Sequence, residues 1–193
     1  MQLIQDLPAD GPTNMQRDLD LLETLGDEPL LRFYQWSGNW ASYGYFQSEA
    51  DAIAHFPNAD LHFVKRPTGG GIVDHREDLT YTLLIPKGHP LDVVKRPECY
   101  RMIHQCLQAA LMTQGVDSRL LDQEEGSGPA CFVHPVPGDL VDCRNGLKVA
   151  GAAQRRTRQG LLHQGSILTA IGNRKAFAQA LHAAFISSLG GES

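Results

Sequence analysis

Long apolar runs are missing from this chain of 193 residues. A membrane-crossing helix needs about 20 consecutive apolar residues, so no membrane partner is expected. Positive charge is in deficit: 17 Lys and Arg against 22 Asp and Glu leave a formal charge of −5. Nucleic-acid binding needs a basic face, so no nucleic-acid partner is expected either. Cysteine is scarce, and the spacing of Cys99, Cys106, Cys131 and Cys143 is too uneven for a disulfide scaffold. A reduced, cytoplasmic location is the expectation. Met1 to Pro8 lack the basic region and apolar stretch of a signal peptide. Neither a GxxxxGK[ST] phosphate loop nor a GxGxxG turn occurs, which removes support for P-loop and dinucleotide-binding functions. Repeats and linkers are also absent. A chain of this length buries one sizeable core and not two, so a single domain over residues 1–193 is expected.

What the chain does contain is Lys65-Arg66-Pro67-Thr68-Gly69-Gly70-Gly71-Ile72-Val73-Asp74-His75. Three successive glycines cost backbone entropy and add nothing to a core. They are kept where φ must be positive, or where something approaches closer than a Cβ permits. With two cations before the run and a histidine after it, exposed N–H groups there would cradle a phosphate or carboxylate. A glycine-rich hairpin turn is the plainer alternative.

Periodicity predicts helices over residues 14–25, 49–55 (capped by Ser48) and from Pro97 through Leu111, and a closing helix capped by Asn173. Strand patterns fall at 28–36, 40–46, 61–66, 79–85, 118–121, 139–144, 147–153 and 161–169, with Asn145-Gly146 as a hairpin signal. Hairpin strands with segregated helices predict an α+β domain with a mixed, mainly antiparallel sheet covered by helices.

A second unusual stretch is Gly146-Leu147-Lys148-Val149-Ala150-Gly151-Ala152-Ala153-Gln154-Arg155-Arg156. Small residues after a strand-borne lysine leave room for a ligand beside an ammonium. That charge could neutralise a phosphate or stabilise a developing oxyanion; a surface lysine on a hairpin is the plainer alternative. His163-Gln164-Gly165-Ser166 interrupts an apolar segment in a way that suggests close backbone approach.

In order along the chain, these motifs resemble the lipoate–protein ligase and octanoyltransferase family, which is related to the biotin–protein ligases. The segments Asn14-Met15 with Asp18 and Ser42-Tyr43-Gly44-Tyr45-Phe46-Gln47 fit the same pattern. The resemblance implies the α+β catalytic domain of that superfamily. It also implies an enzyme that uses ATP and Mg²⁺ to activate lipoate or octanoate as an acyl-adenylate. The acyl group would then pass to a lysine of a lipoyl-acceptor domain, either of a 2-oxoacid dehydrogenase E2 or of a glycine-cleavage H-type protein. By position, Arg66, Thr68, Gly69, Gly70, Gly71, Ile72, Val73, Asp74, His75, Gly151 and His163 would line the nucleotide and acyl site, with Lys148 contacting both anions.

Asp74 departs from the family pattern and is a candidate Mg²⁺ contact. The larger ligases carry a C-terminal accessory domain that is not expected here, so a separate accessory subunit would supply its part. Ala130-Cys131-Phe132 matches the acyl-thioester cysteine of family octanoyltransferases. It opens an alternative in which Cys131 takes octanoate from an acyl carrier protein without ATP. Gly71 favours the ligase reading. A third reading keeps the fold as a non-catalytic acyl-carrier or acceptor-binding module.

Overall fold

The computed structural model describes residues 1–123 and 135–189. Ala130-Cys131-Phe132 lies outside them. The frame is a seven-stranded sheet in the order β1-β2-β6-β10-β9-β8-β7. Its strands are β1 (Gln2–Gln5), β2 (Leu30–Tyr34), β6 (Leu79–Pro86), β7 (Ser118–Leu120), β8 (Leu140–Asp142), β9 (Lys148–Arg156) and β10 (Gly160–Ile167). Only β1 and β2 are parallel; the other neighbours are antiparallel. A second sheet of three strands orders β4 (His62–Lys65), β3 (Trp40–Tyr43) and β5 (Val73–Asp74). This is the expected α+β architecture with a mixed, mainly antiparallel sheet.

The period-two alternation of the strands sorts the core. Leu31, Phe33, Tyr81, Leu83, Ile85 and Leu161 point to one face, covered by α4 (Arg96–Met112) and α5 (Arg174–Leu189). Leu30, Leu84 and Leu162 point to the other face and meet Leu22 of α1 (Gly11–Glu23). β6 is buried along its whole length, as a strand covered on both faces must be.

Several boundaries differ from the periodicity. α1 starts three residues early, because Asp10 caps it by accepting from Thr13 N–H at 2.8 Å and Pro12 suits its first turn. β1 was not expected: four residues with little alternation pair with β2, and Leu3 and Ile4 pack against the core on opposite faces of the sheet. The Asn145-Gly146 hairpin is wider than a two-residue turn. Asp142 N–H donates to Leu147 O, while Asn145 Oδ1 takes the Leu147 N–H and Gly146 adopts φ 70°. α2 (Glu49–His55) forms as read, with a reciprocal Ser48–Asp51 capping box, and a single turn, α3 (Pro90–Val93), precedes α4.

The glycine run is not a hairpin turn. The strand before it, β4, lies in the small sheet parallel to β3, whereas β6 lies in the large one. The run links β4 to β5, which lie on either side of β3 in the small sheet, so the chain reaches the large sheet only after β5; on the way, Gly70 and Gly71 border the main cleft. Among the described residues, no helix is long and apolar enough to cross a membrane.

Candidate active site

The cleft has a volume of about 270 Å³. The glycine loop forms one wall, β9 another, and the ends of β6 and β10 the floor. Gly70 and Lys148, 78 positions apart in the chain, both line it.

Lys148 lies folded along its own strand. Its ammonium pairs with Asp139 Oδ2 at 2.7 Å, with side chains 8% and 1% exposed respectively. Asp139 is held in turn: Oδ2 accepts from Val136 N–H at 2.9 Å and Oδ1 from the Tyr100 hydroxyl at 2.5 Å. Tyr100 completes its bonding by accepting from Ala152 N–H at 2.8 Å. Burial first, and then the facing Asp139 carboxylate, push the Tyr100 phenol well above its ordinary range, so it remains a donor. Gly151 is small for this pair. A Cβ there would stand 2.3 Å from Lys148 Cε and 2.9 Å from Asp139 Oδ1. The ammonium is thus presented at the cleft wall in a fixed position, which is what stabilisation of developing negative charge requires.

Arg66 has a different task from the expected anion contact. Nε donates to Gly69 O at 3.1 Å, and Nη2 to Gly69 O and Gly71 O at 2.8 and 2.5 Å. Nη1 donates to Ser42 O and Oγ at 3.1 and 2.9 Å. Those bonds engage all five N–H groups that a guanidinium possesses. The loop turns carbonyls, not amides, toward the arginine, which rigidifies the glycine run from within. Burial lowers the Arg66 pKa to about 10. Lys65 also points elsewhere, with its ammonium 5.2 Å from the Tyr45 ring centroid.

His75 lines the cleft and anchors this arrangement from behind. Ser42 Oγ accepts from Arg66, so its own proton goes to His75 Nε2 at 2.7 Å. His75 Nδ1–H then donates to Asp78 Oδ2 at 2.8 Å. The same carboxylate oxygen accepts from Thr80 Oγ1 at 3.0 Å and from Ser166 Oγ. Trp36 stacks on the imidazole, with centroids 4.0 Å apart and planes 14° apart. The His75→Ala variant removes the acceptor of the Ser42 hydroxyl proton, one donor to Asp78 and the ring stacked on Trp36, and is expected to lose about 1–3 kcal/mol of stability. Urea unfolding reads this directly, and an unchanged midpoint would remove the anchoring role.

Other expected residues distribute unevenly. Val73, Gly71 and Gly151 line the cleft; Thr68 does not, but donates to Gln164 Oε1 at 2.7 Å and ties the loop to the floor. Neither Gly69 nor Ile72 is part of the lining, and Ile72 is buried. The Asp74 expectation is corrected: its carboxylate pairs with Arg76 at 2.5 Å outside the cleft. Local i,i+2 geometry satisfies it there, so it is not a cleft Mg²⁺ contact. Among the described residues no cluster of three His, Cys, Asp or Glu could hold a metal ion.

His163 is corrected as well. Strand alternation sends it to the α4 face, where it is fully buried, while Gln164 and Ser166 reach the cleft. Gln154 Nε2 donates to His163 Nδ1 at 3.0 Å, leaving Nε2–H for the Tyr81 hydroxyl at 3.0 Å. Gly165 accommodates Tyr81, its cross-strand partner, whose ring carbon would lie 2.2 Å from a Cβ.

Burial drives His163 well below its usual pKa of 6.5, and the neighbouring His104 adds to that. Burial brings His104 from 6.5 to about 4. The unfolded chain therefore binds more protons than the folded one between those values. Stability supplied by the neutral pair is present above about 6.5 and declines as pH falls toward 4. Urea midpoints measured from pH 7.5 to 5 should fall in wild type and fall less steeply in His104→Gln.

Asp139, Tyr100 and Gln164 were not identified from sequence. The first carries no clear signal: the strand register sets Val141 opposite Lys148, and the lysine meets Asp139 only by folding along its own strand.

A model of the lipoyl protein ligase A/B catalytic domain matches residues 10–188. Octanoyltransferase LipM of Bacillus subtilis is 35% identical over 162 residues, 77% of this chain and 57% of that protein. LipM of Brevibacillus brevis is 34% identical over 151 residues, 72% and 54% of the two chains. The chain thus spans a little over half the length of these curated relatives. In overall fold it is similar to lipoate-protein ligase A bound with ATP (TM-score 0.73, 19% identity, covering 98% of this chain and 85% of that one). It is also similar to a bi-partite lipoate protein ligase from Thermoplasma acidophilum, described with its E2 lipoyl domain (TM-score 0.68, 19% identity, 98% and 83% covered). By its ordered motifs, its two-sheet fold and the match over residues 10–188, the chain belongs to the lipoyl protein ligase A/B catalytic domain family.

Proposed function

We propose that this chain is an octanoyltransferase that moves octanoate from an acyl carrier protein to a lysine of a lipoyl-acceptor domain, without ATP. The observation that carries this reading is the commitment of Arg66: with five hydrogen bonds to the glycine loop and Ser42, its guanidinium is not available to a triphosphate. Lys65 is likewise turned toward Tyr45. The phosphate clamp expected beside the glycine run is not built from these cations, and Lys148 is left to serve an acyl group. The name octanoyltransferase on the relatives at 34–35% identity favours the same direction over the ATP-dependent reading that Gly71 suggested.

In this reading Cys131 gives up its proton as its sulfur attacks the carbonyl of the octanoyl thioester, and the carrier sulfur leaves as a thiolate that takes up that proton. The acceptor lysine amine then attacks the new thioester, forming the amide and releasing the Cys131 thiolate, while the amine's second proton passes to that thiolate. Lys148 faces the oxyanion of each addition. Cys131 lies outside the described residues. Val136, five positions later in the sequence, lines the cleft.

Incubation with octanoyl-acyl carrier protein, read by intact mass, tests the proposal. One octanoyl adduct on the enzyme, absent in Cys131→Ala and passed to an acceptor domain, is the expected result. Acceptor modification that requires ATP and survives Cys131→Ala would restore the ligase reading. No adduct and no modification under either condition would leave a binding module.

A further inference from the structure

The turn between β3 and α2 displays two aromatic side chains that the core does not use. Phe46 is 91% exposed and Tyr45 47% exposed, packed edge to face with centroids 5.2 Å apart. Two cations converge on the Tyr45 ring: Lys65 Nζ at 5.2 Å and Arg155 Cζ at 5.0 Å from its centroid. In a chain of net charge −5 this is a local reversal of sign. The nearest acids in sequence, Glu49 and Asp51, sit in the first turn of α2, where Asp51 is occupied by the Ser48 cap. Exposed aromatics with arginine are the composition of a protein-binding hot spot rather than of a solvated loop.

The turn is also fixed to the cleft. Tyr45 N–H donates to Thr68 O at 2.8 Å, and Arg155 Nη1 donates to Pro67 O at 3.2 Å. Gly44 is seated so closely on the glycine loop that a Cβ would stand 2.1 Å from Gly70 O. The next side chain after the aromatic pair, Gln47, lines the cleft. A protein seated on the patch would be held at the mouth of the site.

We propose that Tyr45, Phe46, Lys65 and Arg155 form the docking surface for the acyl-accepting protein, an acidic domain that presents its target lysine to the cleft. The proposal rests on the acyl-transfer reading above, and it holds for either route by which the acyl group is activated. The cations attract and orient the acidic surface, and Phe46 supplies the apolar anchor.

Calorimetric titration with an unmodified lipoyl domain of a 2-oxoacid dehydrogenase E2 tests it without requiring turnover. Phe46→Ser and the double variant Lys65→Glu/Arg155→Glu should each weaken binding roughly tenfold or more. The wild-type Kd should rise with salt, and the double variant should lose that dependence. Loading of the enzyme from octanoyl-acyl carrier protein should not change in either variant. Unchanged Kd in both variants, or no binding by wild type, overturns the proposal. Slowed loading with normal acceptor affinity also overturns it, since the patch would then receive the donor. Binding that follows the predicted pattern without any acyl transfer would support the surface and sink the functional reading instead.

Discussion

Lys148→Ala is expected to lower acyl transfer by about 100- to 1,000-fold, the usual cost of removing a group aimed at developing charge. The ammonium sits at the cleft wall, 2.7 Å from Asp139, with Gly151 cleared beneath it. Breaking a buried pair by removing one partner also costs about 3–5 kcal/mol, so loss of activity alone would be ambiguous. The double variant Lys148→Met/Asp139→Asn separates the two effects. It removes the stranded carboxylate charge, and the side-chain amide oxygen it introduces can still accept from Tyr100. Thermal stability should recover toward wild type while single-turnover transfer stays at the Lys148→Ala level. Recovery of activity along with stability would mean that Lys148 only holds the hairpin together.

Arg32→Met should cost about 3–5 kcal/mol of stability. Arg32 is buried in β2, donates to Asp18 and to Asp6 at 2.7 Å each, and bonds Asn14 through its backbone carbonyl and side-chain oxygen. Removing it leaves Asp18, wholly buried, with three neutral donors: Tyr34, Thr82 and Gln164. At roughly 2–4 °C per kcal/mol for a chain of this size, Tm should drop on the order of 10 °C. Adding Asp18→Asn should return part of that loss, because the two residues share one interaction. A drop of under about 1 kcal/mol in Arg32→Met would show that the pair is not what joins α1 to the sheet.

How much was legible in the sequence depended on the range of the interaction. The Ser48-capped helix α2 came out with its observed bounds, because a capping box and its stop are local chemistry. The convergence of the glycine run and Lys148 on one cleft was legible only through the family resemblance, because nothing in two segments so far apart says that they meet. What remained hidden was orientation. Glycines flanked by cations suggest amides facing an anion, yet nothing in the order of residues says whether N–H or C=O groups will face Arg66. The structure chose the carbonyls. His163 was misplaced for a related reason: one step along β10 exchanges the cleft for the core, and His163 and Gln164 are equally polar on paper. Asp18 and Arg32 could not be paired because helix and strand meet only through the fold.

The Asp18 carboxylate gathers Arg32, Tyr34, Thr82 and Gln164, and Gln164 receives Thr68 from the glycine loop. A continuous set of buried hydrogen bonds therefore runs from the centre of the sheet to the backbone that shapes the cleft. Loops that act as doors belong to weakly held foldons, whose amides exchange with solvent long before the rest of the molecule opens. Here the loop is tied through Thr68 and its own carbonyls to buried side chains. Its backbone should therefore keep its place, making the glycine run a fixed jamb against which other parts of the protein can move.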